Sequence, residues 1–167
     1  MIPKVIAPLL APVYFLCGCI LIIWASRLKP HSLALKKFGI RVVAPKDYGS
    51  QDNHGEAYSA LALLKRFDEE RMELVEKHIR IIFLFGGTRG VTGYVRTGRV
   101  CLLNLQKFPE CPAGTMPIAI AGILVYFASL AKFKIKVPFV GGREDIKNIC
   151  EEEQQQTVEK LSKILCE

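Results

Sequence analysis

The sequence predicts an α+β domain, a set of helices with a short antiparallel sheet, carried behind an N-terminal transmembrane helix. Three observations predict it. Residues 5–26 contain no charged side chain, about the 20 residues a helix needs to cross the hydrocarbon of a bilayer. Residues 54–78 and 143–165 repeat apolar side chains at helical spacing around a run at 117–131 that is apolar on every side. Residues 79–105 change to β-branched and aromatic types broken by glycine, the composition of strands and turns.

The chain has 167 residues, enough for one domain and an accessory segment. Its charge of +7 is unevenly placed: Arg27, Lys29, Lys36, Lys37, Arg41 and Lys46 follow the apolar run with no acidic residue among them. Beside an apolar run such a block suits anionic lipid headgroups better than nucleic acid. Arg27, Lys29, Lys36, Lys37 and Arg41 are therefore the expected membrane-surface contacts, the bilayer is an expected partner, and nucleic acid is not. Only Lys4 and the amino terminus precede the run, so the excess of cations after it predicts a single-pass membrane protein with its domain on the cytoplasmic side. The six cysteines show no disulfide or metal-binding spacing, which fits a reducing compartment.

In chain order, residues 1–27 form the expected transmembrane helix. Pro8 and Pro12 are tolerable in such a helix, and Tyr14 and Trp24 suit its boundaries. A cleaved signal peptide is the competing assignment, but no small-residue cleavage site precedes a polar start. Residues 28–53 form a basic juxtamembrane linker, polar and turn-rich over 44–53. The domain then occupies residues 54–167. Asn53 and Glu56 have the spacing of a capping box, and Ala57, Ala60, Leu61, Leu64 and Phe67 form one apolar stripe behind it. Asp68 restarts the pattern as the cap of a second helix with Leu74, Val75, His78 and Ile79 inward. Residues 79–85 predict a strand, and 91–96 with 99–105 predict a hairpin turning at Thr97-Gly98, so that the three make an antiparallel meander. Residues 86–91 look like a nucleotide-binding glycine turn, but strand-type residues follow where a helix is required.

Pro117 opens the apolar run and Lys132 closes it, which predicts a helix buried at the centre of the fold. With fewer than 18 apolar residues, it is better suited to a core than to a second span. Residues from 143 predict the last helix, with Ile146, Ile149, Cys150, Thr157, Val158, Leu161, Ile164 and Leu165 on one side. Gln154 falls beside that stripe and needs hydrogen-bond partners at a core edge or an internal polar site.

Several short pieces occur in a suggestive order: 60–64 leading to His78-Ile79, then Gly93-Tyr94, Arg99-Val100-Cys101, 121–125, and 143–150. In this order they resemble a bacterial family of uncharacterised zincin-like proteins, in which leucine-valine is followed by a histidine-rich HExxH motif of the HEATH type. The resemblance implies a zincin-like fold over residues 57–165. It also implies a lost chemistry. Catalytic zinc in that setting takes two imidazoles four residues apart on one helix face, with a glutamate beside the first. Here Tyr126, Phe127 and Leu130 stand at those three positions, and Lys147 and Gln154 supply no carboxylate for a third ligand. No metal, cofactor or catalytic residue is expected. A remnant pocket is expected around Gln154, Cys150 and His78.

The function this implies is that of a membrane-anchored, catalytically inactive zincin-like domain, a pseudo-metallopeptidase that binds a protein or peptide along a strand edge. Two alternatives stand beside it. One is a hydrolase using Cys150 or Cys101 with His78 as base. The other is a small integral-membrane protein whose second span is residues 117–131.

Overall fold

A computed structural model describes residues 38–43, 51–85, 92–96, 98–107, 114–133 and 144–166. In order, these hold β1 (Arg41–Val43), α1 (Gln51–Phe67), α2 (Glu69–His78), β2 (Ile81–Phe85), β3 (Gly93–Val95), β4 (Val100–Asn104), a 3₁₀ turn (Leu105–Lys107), α3 (Met116–Lys132) and α4 (Glu144–Cys166). The strands make one sheet in the order β1-β2-β4-β3. β1 and β4 each run parallel to β2, and β3 alone is antiparallel, paired with β4.

The amphipathic pattern explains the layers. On α1 the buried Ala57, Ala60, Leu61 and Leu64 fall one helical turn apart, the spacing that puts them on one face. α2 carries Glu69 and Glu70 in its first turn and Lys77 in its last, charges that complement the helix dipole. α3 has proline in its first turn and buries Ile118, Ile120, Ala121, Leu124, Val125 and Ala128. It packs against α1, α2 and α4. Alternate strand residues Val42, Ile82, Leu84, Tyr94, Cys101 and Leu103 join these helices in one core. The intervening residues Val43, Phe83 and Val100 form a separate apolar cluster, as the two-residue strand period requires.

Two expectations are corrected here. No helix among the described residues is long and apolar enough to cross a membrane: none of the four helices of this α+β fold is the expected transmembrane helix, and the single-pass placement finds no span among them. The physical limits are plain in the most apolar helix and in the longest. The apolar α3 has 17 residues, about 26 Å at 1.5 Å per residue against a hydrocarbon layer of about 30 Å. The longer α4 carries charge along its length. Residues 5–26, on which the expectation rested, lie outside the described residues. So do Arg27, Lys29, Lys36 and Lys37, while Arg41 is exposed at the start of β1.

The second correction concerns the sheet, which is mixed and mainly parallel. The hairpin of β3 and β4 is present, but β2 pairs with β4 and not with β3. α1 and α2 form the crossover from β1 to β2, and parallel strands need a crossover of this size. β1 itself lies within the stretch expected to be linker, and α1 begins at Gln51, ahead of the expected cap at Asn53. Asp68 precedes α2 without capping it through its side chain. Instead its buried carboxylate pairs with Arg71 at 2.8 Å and with Lys160 of α4 at 3.1 Å. Arg71 also reaches Glu153 at 3.1 Å and Gln156 at 2.8 Å, so this network fastens α4 to the start of α2.

Candidate functional site

The candidate site lies where the edge strand β3 meets α3. Tyr94, the middle residue of β3, is buried against the helices, and its hydroxyl donates to the His78 carbonyl at 2.7 Å. That bond satisfies a carbonyl at the end of α2, one of the last four that a helix leaves unpaired. The Tyr94 ring stacks on Phe127 with centroids 6.3 Å apart. Phe127 in turn meets Tyr126 edge-on at 5.4 Å. Both separations fall in the range where aromatic pairs attract beyond simple burial. A continuous row of three rings therefore joins β3 to α3.

Tyr126 and Phe127 are each half-buried, as is Leu130. Burial raises the Tyr126 phenol above its ordinary value, and Cys150 and Glu151 of α4 add to the shift. These are the helical positions to which the resemblance assigns a metal motif. Among the described residues no group of three or more His, Cys, Asp or Glu side chains is placed to hold a metal ion.

The three residues expected around a remnant pocket occupy different places. Gln154 packs across the α3–α4 contact, where its Cγ lies 3.3 Å from the position a Cβ would take on Gly122. Cys150 is buried on α4, and burial, reinforced by Glu153 and Glu151, pushes its thiol up to about 11. Burial also raises the fully enclosed Cys101 thiol. Thiols so perturbed carry little thiolate near neutral pH, the opposite of an activated nucleophile. His78 ends α2 and is half-buried. Its imidazole is held below its ordinary value by burial first and then by Lys77, Arg99, Lys132 and Arg96. The ring row runs from Tyr94, bonded to the His78 carbonyl, to Tyr126, which lies near Cys150.

The cations around His78 belong to a larger arrangement at one end of the sheet. The Arg41 amide donates to the Arg80 carbonyl at 2.8 Å, the Arg80 amide to the Arg99 carbonyl at 2.8 Å, and the Arg99 amide to the Arg96 carbonyl at 3.1 Å. Four arginines are thus linked through their backbones across the ends of all four strands, and each is exposed. Arg99 closes the β3–β4 turn at φ 57°, a left-handed backbone unusual outside glycine. Lys77 and Lys132, also exposed, end α2 and α3 near His78.

The fold and this site define a small α+β domain with an aromatic-backed edge strand and a basic sheet end. The chain matches no protein-family model, no curated protein and no solved structure. Sequence reasoning passed over three features of the site. Tyr94 was legible only as part of a Gly-Tyr pair, although a lone tyrosine facing inward on a strand needs a hydroxyl partner and could have been sought for that reason. Asp68 and Arg71 are only three residues apart, but their links to Lys160 and Glu153 join residues too distant in sequence to be paired by spacing. The convergence of Arg41, Arg80, Arg96 and Arg99 depends on the sheet register.

Proposed function

We propose that the domain is a non-catalytic binding module that takes up an extended peptide along the outer edge of β3, on a zincin-like scaffold without the zinc motif. The observation that carries this is the ring row from Tyr94 through Phe127 to Tyr126. It braces the edge strand against the central helix, at positions to which the zincin-like resemblance assigns the metal motif. Among the described residues no strand pairs with the outer edge of β3, and an edge of this kind can accept a peptide as a further strand through main-chain hydrogen bonds. The raised thiols of Cys150 and Cys101 weigh against the alternative cysteine hydrolase.

The test is a titration of the isotope-labelled full chain with extended, β-prone octapeptides, followed by amide NMR and hydrogen exchange. The expected result is shifts and slowed exchange concentrated at residues 93–95. Binding that leaves these amides unmoved, or hydrolysis of the peptides by the purified chain, refutes the proposal.

A further inference from the structure

We infer that the peptide taken up at β3 is acidic at the end that passes Arg96, where it would be held by the basic end of the sheet; this rests on the edge-strand reading above. Arg96 directly follows the last residue of β3, so a strand added along that edge continues onto the cations. Arg96, Arg99 and Lys132 all act on His78, which places these charges in one neighbourhood. Arg80 and Arg41 continue the series across the sheet through the backbone bonds already described. No ion pair among the described residues engages any of them, or Lys77. The carboxylates that do form pairs are Asp68, Glu69, Glu151 and Glu153.

Helix ends account for part of the cluster. Lys77 and Lys132 sit at helix C-termini, where the dipole favours cations. The four arginines stand at strand ends, and strands supply no comparable field. Among the described residues they have no paired counter-charge, and a ligand bearing carboxylates would relieve their mutual repulsion. Arginine also offers the planar pair of donors that a carboxylate accepts. Continuity with the β3 edge favours a peptide over other polyanions, since only an added strand reaches the cations while pairing with residues 93–95.

The experiment compares fluorescein-labelled octapeptides with a common β-prone centre and Asp-Asp, Asn-Asn or Lys-Lys at either end. Each is titrated by anisotropy into the full chain at low and high salt, with the β3 amides followed by NMR. One acidic-ended peptide should bind about tenfold tighter than its neutral counterpart at low salt, with most of the preference lost at 0.5 M. In the double variant Arg96→Gln, Lys132→Gln the preference should fall by at least threefold while the neutral peptide binds as before. Both positions are exposed, and an unchanged melting curve verifies the variant's fold. Equal binding of acidic and neutral peptides, with β3 amides responding, overturns the charge inference and leaves the edge reading intact. No response of the β3 amides to any peptide overturns both. Binding of an oligonucleotide or of phosphatidylserine vesicles that the double variant abolishes, in the absence of a charge preference among peptides, also overturns the inference.

Discussion

Replacing Gly122 by alanine sets two effects of opposite sign against each other, and the structure says which should prevail. Within a helix, alanine is favoured over glycine by about 1 kcal/mol. At this position the new Cβ would lie 2.7 Å from Val158 Cγ2 and 3.3 Å from Gln154 Cγ, well inside the ~3.5–4.0 Å at which carbon atoms attract. Valine has little rotational freedom on a helix, and the Arg71–Glu153 bond anchors α4 about one turn earlier. Overpacking of this kind costs about 1–3 kcal/mol, leaving a net loss of roughly 0–2 kcal/mol. In a Val158→Ala background the blocking methyl is gone and the same substitution should approach its propensity gain of about 1 kcal/mol. A urea-denaturation double-mutant cycle measures the difference between backgrounds directly, expected at about 1–3 kcal/mol. Gly122→Ala stabilising both backgrounds equally would show that α3 and α4 do not meet at this glycine.

Four further outcomes are expected. Asp68→Ala removes a buried carboxylate from Arg71 and Lys160 and should cost about 2–4 kcal/mol in urea, with Asp68→Asn losing less. Phe127→Ala removes ring contacts on both sides and should cost about 2–3 kcal/mol by the same assay; Phe127→Glu should be no more stable than the alanine variant. Because the folded-state pKa of His78 is lowered, its neutral form is favoured by folding. Its contribution is therefore present above the unfolded value near 6.5 and is lost as pH falls below it toward the folded value. Melting temperatures from pH 8 to 5 should fall less in His78→Gln than in the parent chain. With Cys150 as the sole remaining thiol, labelling by a disulfide reagent at pH 8 should be slow in the folded chain and fast in denaturant, as its burial and its value of about 11 require.

The helices were readable from sequence because each leaves a local signature. Pro117 before an unbroken apolar run marked α3, and the recurrence of Ala57, Ala60, Leu61 and Leu64 marked the inner face of α1. The hairpin was readable from Gly98 between two β-prone runs. The register was not. Arg41–Val43 is too short for its alternation to stand out inside a basic stretch, and the pairing of β2 with β4 spans a separation on which local pattern is silent. The meander expected from adjacent strands followed the commoner arrangement, and the parallel crossover prevailed because α1 and α2 have to cover the sheet formed on either side of them. Even on α4 the stripe was only partly right: Ile149 is 43% exposed while its neighbour Cys150 is buried, because the face packed on α3 is narrower than the apolar pattern. At the site, the identity of Tyr126, Phe127 and Leu130 was plain, but their relation to Tyr94 and the strand-end arginines came only with the fold.

β3 precedes β4 in the chain yet lies outside it in the sheet. Lifting β3 away breaks its pairing with one neighbour, the Tyr94 bond and one ring contact, while β1, β2 and β4 remain a continuous parallel sheet beneath the helices. Opening of the edge and unfolding of the chain are then separate equilibria. Amide exchange should report a small free energy for residues 93–95 and the full one for residues 82–84. Weakening substitutions in the hairpin can consequently retune how readily the edge opens, while the stability of the whole domain falls by no more than the small free energy of that opening.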